Sequence, residues 1–263
     1  MPAGPNRSGL PPSSDGQDRS ALSGQRQNLT ALLRLAGHMC DARLWSALNL
    51  PFAAWDADLG RGSSVQMMAE DALEAAPPSF IAIGFSMGGI VALHLAPIAG
   101  ERLKGLILLD TNPGADPPER RLMRERQQRA VAQGLLPQIV REELKPQYLA
   151  AGNSERADIL DLAMDMALAC GPSVFLSQAE ALRTRPDVWG VLPTLNLPVL
   201  VLCGAEDELC PPALHARICR ACPDASLSIV EGAGHLLPLE QPAAVSTAIM
   251  AWVEQHFTGD ADG

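Results

Sequence analysis

Apolar and polar positions along this chain fall into short β-type runs separated by longer stretches with helical spacing. Strand-sized apolar runs occupy 31–35, 52–56, 79–83, 104–109, 198–203 and 227–230, and helical spacing fits 44–48, 64–75, 87–96, 212–221 and 243–255. Continuous apolar runs bounded by turn residues predict strands buried on both faces, which is the condition of a parallel sheet covered by helices. Their alternation with helices predicts an α/β architecture with a mostly parallel sheet of about six strands.

One region breaks the rhythm. From 113 to 188 the chain has helical spacing with charged faces and no strand-like run, and the strand pattern returns near Pro198. An insertion at the end of the strand that closes at Asp110 would lie over the C-terminal edge of the sheet, where open α/β sheets bind ligands. The expected organisation is therefore a core of 28–112 and 189–258 with a helical lid at 113–188. Residues 1–27, rich in Pro, Ser, Gly, Asn and Gln, read as a disordered tail with no basic-then-apolar leader, and 259–263 read likewise.

Composition narrows the function classes. A length of 263 residues with 47% apolar content suits one α/β domain. A formal net charge of −10 opposes phosphate backbones, so nucleic acid is not an expected partner. No uninterrupted apolar run approaches the roughly 20 residues that span a bilayer, so no membrane partner is expected. The six cysteines are expected to be reduced thiols in a cytoplasmic protein, a monomer or homodimer. Cys219 and Cys222 have C-x-x-C spacing without a second ligand pair, which leaves them as ordinary helix thiols and not a metal site.

The chemistry begins at Gly84-Phe85-Ser86-Met87-Gly88, which follows a buried strand and opens an apolar helix. A serine on a sharp strand-to-helix turn needs glycines two residues to either side, where larger side chains would collide. The helix N-terminus offers N–H groups and the positive end of its dipole to a developing oxyanion. A serine hydroxyl needs a base in contact. Among five histidines His235 is the candidate, because it sits in a Gly-rich turn just after the last strand; His94, His215 and His256 are expected to be structural or solvated, His215 on a surface helix. The residue that orients the base is expected to be Asp207, in the turn after 198–203, with Asp110 as its rival and Glu206 and Glu208 as solvated neighbours. The order Ser86, Asp207, His235 differs from those of the trypsin and subtilisin arrangements.

With these motifs in place, the chain resembles the α/β-hydrolase superfamily, and in particular its small esterase-like and enol-lactonase-like members. Leu35-Ala36-Gly37-His38-Met39-Cys40-Asp41-Ala42-Arg43-Leu44-Trp45 is similar to their oxyanion-loop segment, with Ala36 where His or Pro is usual. The resemblance implies oxyanion donors at the backbone N–H groups of Met87 and His38, no cofactor and no metal. Most members carry a β-hairpin ahead of the first core strand, so its replacement here by a polar stretch implies a sheet trimmed to six strands.

The expected reaction is acyl transfer from a small-molecule ester or lactone through an acyl-enzyme on Ser86, with thioester hydrolysis, acyl transfer to another acceptor, or ligand binding without catalysis as alternatives. The arginines at 120, 121, 124, 126 and 129 are expected to form a solvated face of i to i+4 ion pairs, with a cationic rim for an acidic acyl substrate as the other reading. Leu135, Leu136, Ile139, Val140, Leu160, Leu162, Met164, Met166 and Leu168 are expected to be packing residues of the lid.

Overall fold

The computed structural model describes residues 31–257; the expected tail at 1–27 and the segment 259–263 lie outside them. Six strands form one parallel sheet: β1 (Ala31–Leu35), β2 (Ala54–Asp56), β3 (Phe80–Phe85), β4 (Leu103–Leu109), β5 (Val199–Gly204) and β6 (Ala225–Val230), in the order β2-β1-β3-β4-β5-β6. The helices are α1 (Val65–Ala75), α2 (Met87–Ala99), α3 (Pro118–Ala132), α4 (Ala157–Thr184), α5 (Pro212–Ala221) and α6 (Pro242–Phe257), with shorter turns between them.

Alternation within the strands divides the core into two layers. Leu33, Leu35, Phe80, Ala82, Leu106, Leu108, Val199 and Val201 pack on one face against α1, α2 and α5, through residues such as Met68, Val91, Leu93 and Ile218. Leu32, Ile81, Ile83, Ile107, Leu109, Leu200 and Leu202 meet Val245, Ile249 and Trp252 of α6 on the other. A large apolar side chain that is fully buried contributes about 1.5–3 kcal/mol, so these two layers dominate the stability. The central strands β3 and β5 are buried at every position, whereas the edge strand β2 is exposed and carries Asp56, paired with Arg34 of β1. A short, charged edge of this kind discourages pairing with another chain.

Local signals explain several boundaries. Ser64 caps α1 by accepting the Met67 N–H at 3.2 Å, and prolines open α3 and α5 where a missing N–H costs nothing. The expected helix at 44–48 is only a 3₁₀ turn, Ala42–Trp45, whose start Asp41 caps. So short a run before Pro51 cannot offset the cost of helix nucleation. The strand expected at 52–56 shrinks to its last three residues, and the one expected at 79–83 extends to Phe85 and so runs directly into Ser86.

Between β4 and β5 the chain is helical, with a small core of its own made by Val131, Leu136, Ile139, Val140, Ala167, Phe175 and Ala179, which Met39 joins from the loop after β1. Leu135 and Leu168, expected to be packing residues, are 41% and 46% exposed. They fall on the outer faces of this layer. Contrary to the reading of apolar runs, α4 is long and apolar enough by length and composition to cross a membrane. It is not one continuous helix, because Gly171 has φ 79° and ψ 174° and Pro172 follows. The first arm buries Ile159, Ala163 and Met166 against the sheet layer, and the second buries Phe175 and Ala179.

Candidate active site

Every element that builds the site ends at the C-terminal edge of the sheet. Ser86 follows β3, Asp110 follows β4, Asp207 follows β5, and His235 follows β6. Ser86 has φ 52° and ψ −112°, a conformation that L-residues adopt only when their surroundings enforce it. The enforcement is visible: its N–H donates to the Leu109 carbonyl at 2.8 Å, and its own carbonyl accepts the Thr111 hydroxyl at 2.7 Å. The flanking glycines let α2 approach. A Cβ at Gly84 would lie 2.5 Å from the Gly88 carbonyl oxygen, and one at Gly88 would collide with the Leu35 carbonyl.

His235 Nε2 lies 3.0 Å from Ser86 Oγ, and His235 Nδ1 lies 2.8 Å from Asp207 Oδ2. With a carboxylate as acceptor, Nδ1 carries the proton, and Nε2 is left to accept from the serine hydroxyl. Asp207 is 2% exposed, and its second oxygen accepts the Leu209 and Cys210 N–H groups at 2.8 and 3.0 Å. Burial pushes its pKa up, but the charge and hydrogen bond of His235 and these two N–H groups outweigh burial and hold it below the ordinary carboxylate range.

Asp110, the rival acid, does not bond to His235. It is fully buried, accepts the Gly204 N–H at 3.0 Å, and is raised well above its ordinary pKa by burial and by the negative charge of Asp207. Two carboxyls sharing so dry a space do not both ionise, and Asp207, with the imidazole beside it, keeps the charge.

Met87 stands at the first position of α2, where an N–H has no intrahelical acceptor, and neither its N–H nor that of His38 makes a hydrogen bond among the described residues. The loop carrying His38 is held from below: Met39 has φ 57° and donates its N–H to the buried Gln178 side chain at 2.9 Å. The His38 ring lines the same cavity as Ser86, with its edge against Phe175, 5.1 Å between centroids. Burial, and then the charge of Arg124, lower its pKa to about 3, so it is a neutral ring and a poor base at neutral pH. That cavity, of about 520 Å³, is also lined by Met87, Ile90, Tyr148 and His235.

Two supports were not read from the sequence. Glu240, 4% exposed, accepts the Gly234 N–H at 2.9 Å with one oxygen, and with the other the Ala150 N–H and Asn153 Nδ2, both at 2.8 Å. It ties the turn that carries His235 to the helical layer, and Leu236 N–H to the Tyr148 carbonyl adds a second tie. Glu240→Gln keeps the shape but replaces one acceptor oxygen with an NH₂ facing N–H donors. The expected result is a loss of about 2–4 kcal/mol in a denaturant melt and a weakened kcat, since three bonds to a charged group are disturbed; unchanged stability would show that these bonds contribute nothing.

His215 is the second support and a correction. Expected on a surface helix, it is completely buried on the inner side of α5, its Nε2 accepting the Thr111 N–H at 3.1 Å, and Thr111 in turn holds the Ser86 carbonyl. Burial lowers its pKa from 6.5 to about 4. A depressed histidine pKa means that the unfolded chain binds the proton first, so its stabilising contribution is present above 6.5 and is lost as pH falls toward 4. At about 1.4 kcal/mol per pH unit, this one ring contributes on the order of 3 kcal/mol, and His38 acts in the same direction. His94, lowered by burial, acts in that direction too, whereas Asp110 has the opposite sign, since its proton is bound more tightly in the fold; it is one group against three histidines below 6.5. Thermal melts from pH 7 to 4 are expected to show a steep fall that flattens in His215→Gln; a wild-type curve flat across that window contradicts the burial account.

The Alpha/beta hydrolase family model matches residues 18–248, and the chain belongs to that family. A pimeloyl-[acyl-carrier protein] methyl ester esterase from Serratia marcescens is 30% identical over 254 residues, covering 86% of this chain and 94% of the relative. A 3-oxoadipate enol-lactonase 2 from Acinetobacter baylyi is 30% identical over 169 residues, covering 64% and 61%. Among solved structures, a thermophilic esterase from Thermogutta terrifontis superimposes with a TM-score of 0.77 at 28% identity, covering 87% of this chain and 91% of that one.

Proposed function

We propose that this protein is a serine hydrolase that cleaves a carboxylic ester or lactone of a small molecule. The observation that carries the reading is the continuous hydrogen-bond line from Ser86 Oγ through His235 to Asp207, at 3.0 and 2.8 Å, at a cavity of about 520 Å³. Relatives named as esterases and an enol-lactonase support the same bond class.

In the first half-reaction Ser86 Oγ attacks the carbonyl carbon while His235 Nε2 takes the hydroxyl proton. The oxyanion is received by the N–H groups of Met87 and His38. As the tetrahedral intermediate collapses, the same proton passes from Nε2 to the leaving alkoxide, and the acyl group stays on Ser86. Water then attacks the acyl-enzyme, giving its proton to Nε2, which returns it to Ser86 Oγ as the acid departs. Asp207 holds the Nδ1–H tautomer and stabilises the imidazolium. The helices between β4 and β5 act as a lid that limits water around the intermediate.

The test is covalent. A fluorophosphonate probe is expected to add to the wild-type chain in a one-to-one ratio by intact mass, on a peptide containing Ser86, and to leave Ser86→Ala unmodified. Folded wild-type protein that takes up no probe would favour a member of the family that binds a ligand without turning it over.

A further inference from the structure

Three arginines reach the cavity that contains Ser86: Arg120 and Arg124 from the first turns of α3, and Arg185 from just beyond α4. The sequence pattern predicts a solvated face of i to i+4 ion pairs; Arg126 is solvent-exposed, but its partner is Glu143, 17 residues on and outside α3, so the pair is not of that kind. Arg124 and Arg185 behave otherwise. Their side chains are only 12% and 3% exposed, and both turn to the same fully buried carboxylate, Asp116, with Nε of Arg124 at 2.5 Å and Nη1 of Arg185 at 2.8 Å. Arg185 spends its other contacts on the Gly114 and Leu182 carbonyls. Arg124 is engaged through Nε alone, and the Arg120 guanidinium makes no hydrogen bond or ion pair among the described residues.

The guanidiniums therefore do not all find partners. Arg124 and Arg185 share Asp116, Glu119 stands on the exposed rim, and Asp207 is taken up by His235 and two backbone N–H groups, which leaves the Arg120 guanidinium without an ion-pair partner among the described residues. A half-buried guanidinium at a cavity wall with no protein anion beside it is free to receive an anionic ligand. The field of Arg124 is felt across the cavity at His38, and burial lowers the pKa of Arg185 to about 10.

We propose that Arg120 and Arg124 form an anion subsite in this cavity, so that the ester or lactone cleaved at Ser86 carries a free carboxylate on the part of the molecule remote from the scissile bond. The inference rests on the hydrolase reading for the role of the site, but not for the binding itself. One unpartnered guanidinium, beside an Arg124 engaged through Nε alone, matches a monoanion better than a phosphate dianion. The planar fork of a guanidinium also matches both oxygens of a carboxylate. Apolar lining from Ile90, Met123 and Leu144 suits the methylene chain between the two ends.

The experiment compares mono-p-nitrophenyl esters of the straight-chain diacids from succinate to suberate with neutral p-nitrophenyl alkanoates of equal length. At the best-matched length the carboxylate ester is expected to have at least about tenfold higher kcat/KM, the effect of one charge-assisted contact. That ratio is expected to collapse in Arg120→Gln, whose wild-type side chain holds no protein group, and in Arg124→Gln if that variant melts cooperatively. Calorimetry on Ser86→Ala with the methyl half-ester and its neutral counterpart reads the subsite without turnover. Equal kcat/KM and equal affinity for the charged and neutral members overturn the proposal. Tighter binding of an alkyl phosphate than of the carboxylate of the same length overturns the assignment of ligand. If no ester is hydrolysed while the half-ester still binds more tightly in an Arg120-dependent way, the subsite stands and the hydrolase reading falls.

Discussion

Ser86→Ala is expected to lower kcat on a p-nitrophenyl ester by a factor on the order of 10⁴ to 10⁶ while leaving the thermal melt close to that of the wild type. The size follows from the geometry. On the proposed mechanism, without Oγ there is nothing for His235 to deprotonate and no acyl-enzyme can form, so that only the stabilisation proposed for the N–H groups of Met87 and His38 would survive. Because the three side chains act along one hydrogen-bonded line, His235→Ala is expected to cost about as much, and the double variant hardly more than either alone. Asp207→Asn is expected to cost on the order of 10⁴, since an amide can present its NH₂ to Nδ1 and force the wrong tautomer. Asp110→Asn is expected to cost far less, because Asp110 touches Gly204 and not the imidazole. A Ser86→Ala enzyme keeping more than about a hundredth of the activity, or an Asp110→Asn loss as large as that of Asp207→Asn, would sink the assigned roles.

Gly88→Ala is expected to destabilise the protein by about 3 kcal/mol or more, although alanine favours a helix over glycine by about 1 kcal/mol. Its Cβ would be driven into the carbonyl groups of Leu35 and Ala36, which belong to the end of β1 and cannot swing aside as a side-chain tip can. The alternative is for α2 to lift off the sheet, which opens the contacts of Ile90, Val91 and Leu93 with the strands. Ser86 and the Met87 N–H would tilt with it, so kcat should fall together with stability. Gly152 and Gly190 supply the control, because a Cβ there meets nothing within 4 Å; alanine at either is expected to leave the urea midpoint nearly unchanged. A Gly88→Ala midpoint indistinguishable from theirs would mean that the close approach of α2 to β1 is not a constraint.

The parts of the fold that were legible in advance are those with a local cause. Apolar runs such as 198–203 and 104–109 identified central strands of a parallel sheet; the observed β5 is shifted by one residue at both ends and β4 begins one residue earlier. The Gly84-Phe85-Ser86-Met87-Gly88 turn was legible because steric need places glycines at fixed offsets. His235 and Asp207 could be brought together in advance because each lies in the turn that follows a β-strand, and strands of a parallel sheet deliver their C-terminal turns to the same edge. The structure places these side chains within hydrogen-bonding distance of one another. The run 44–48 misled because an apolar stretch of one turn carries no information on whether a helix can nucleate.

The amino-acid order thus determined the layer architecture and the chemical types available at the sheet edge, since both follow from hydrophobic period, turn residues and chain direction. Tertiary packing decided what depends on partners distant in the chain. His215 became a buried acceptor for Thr111, 104 residues away; Glu240 became the tie across to Ala150, 90 residues away; and Arg124 and Arg185 converged on Asp116 at the cavity wall. Burial and charge balance are sums over neighbours from several elements, so no single stretch of sequence carries them.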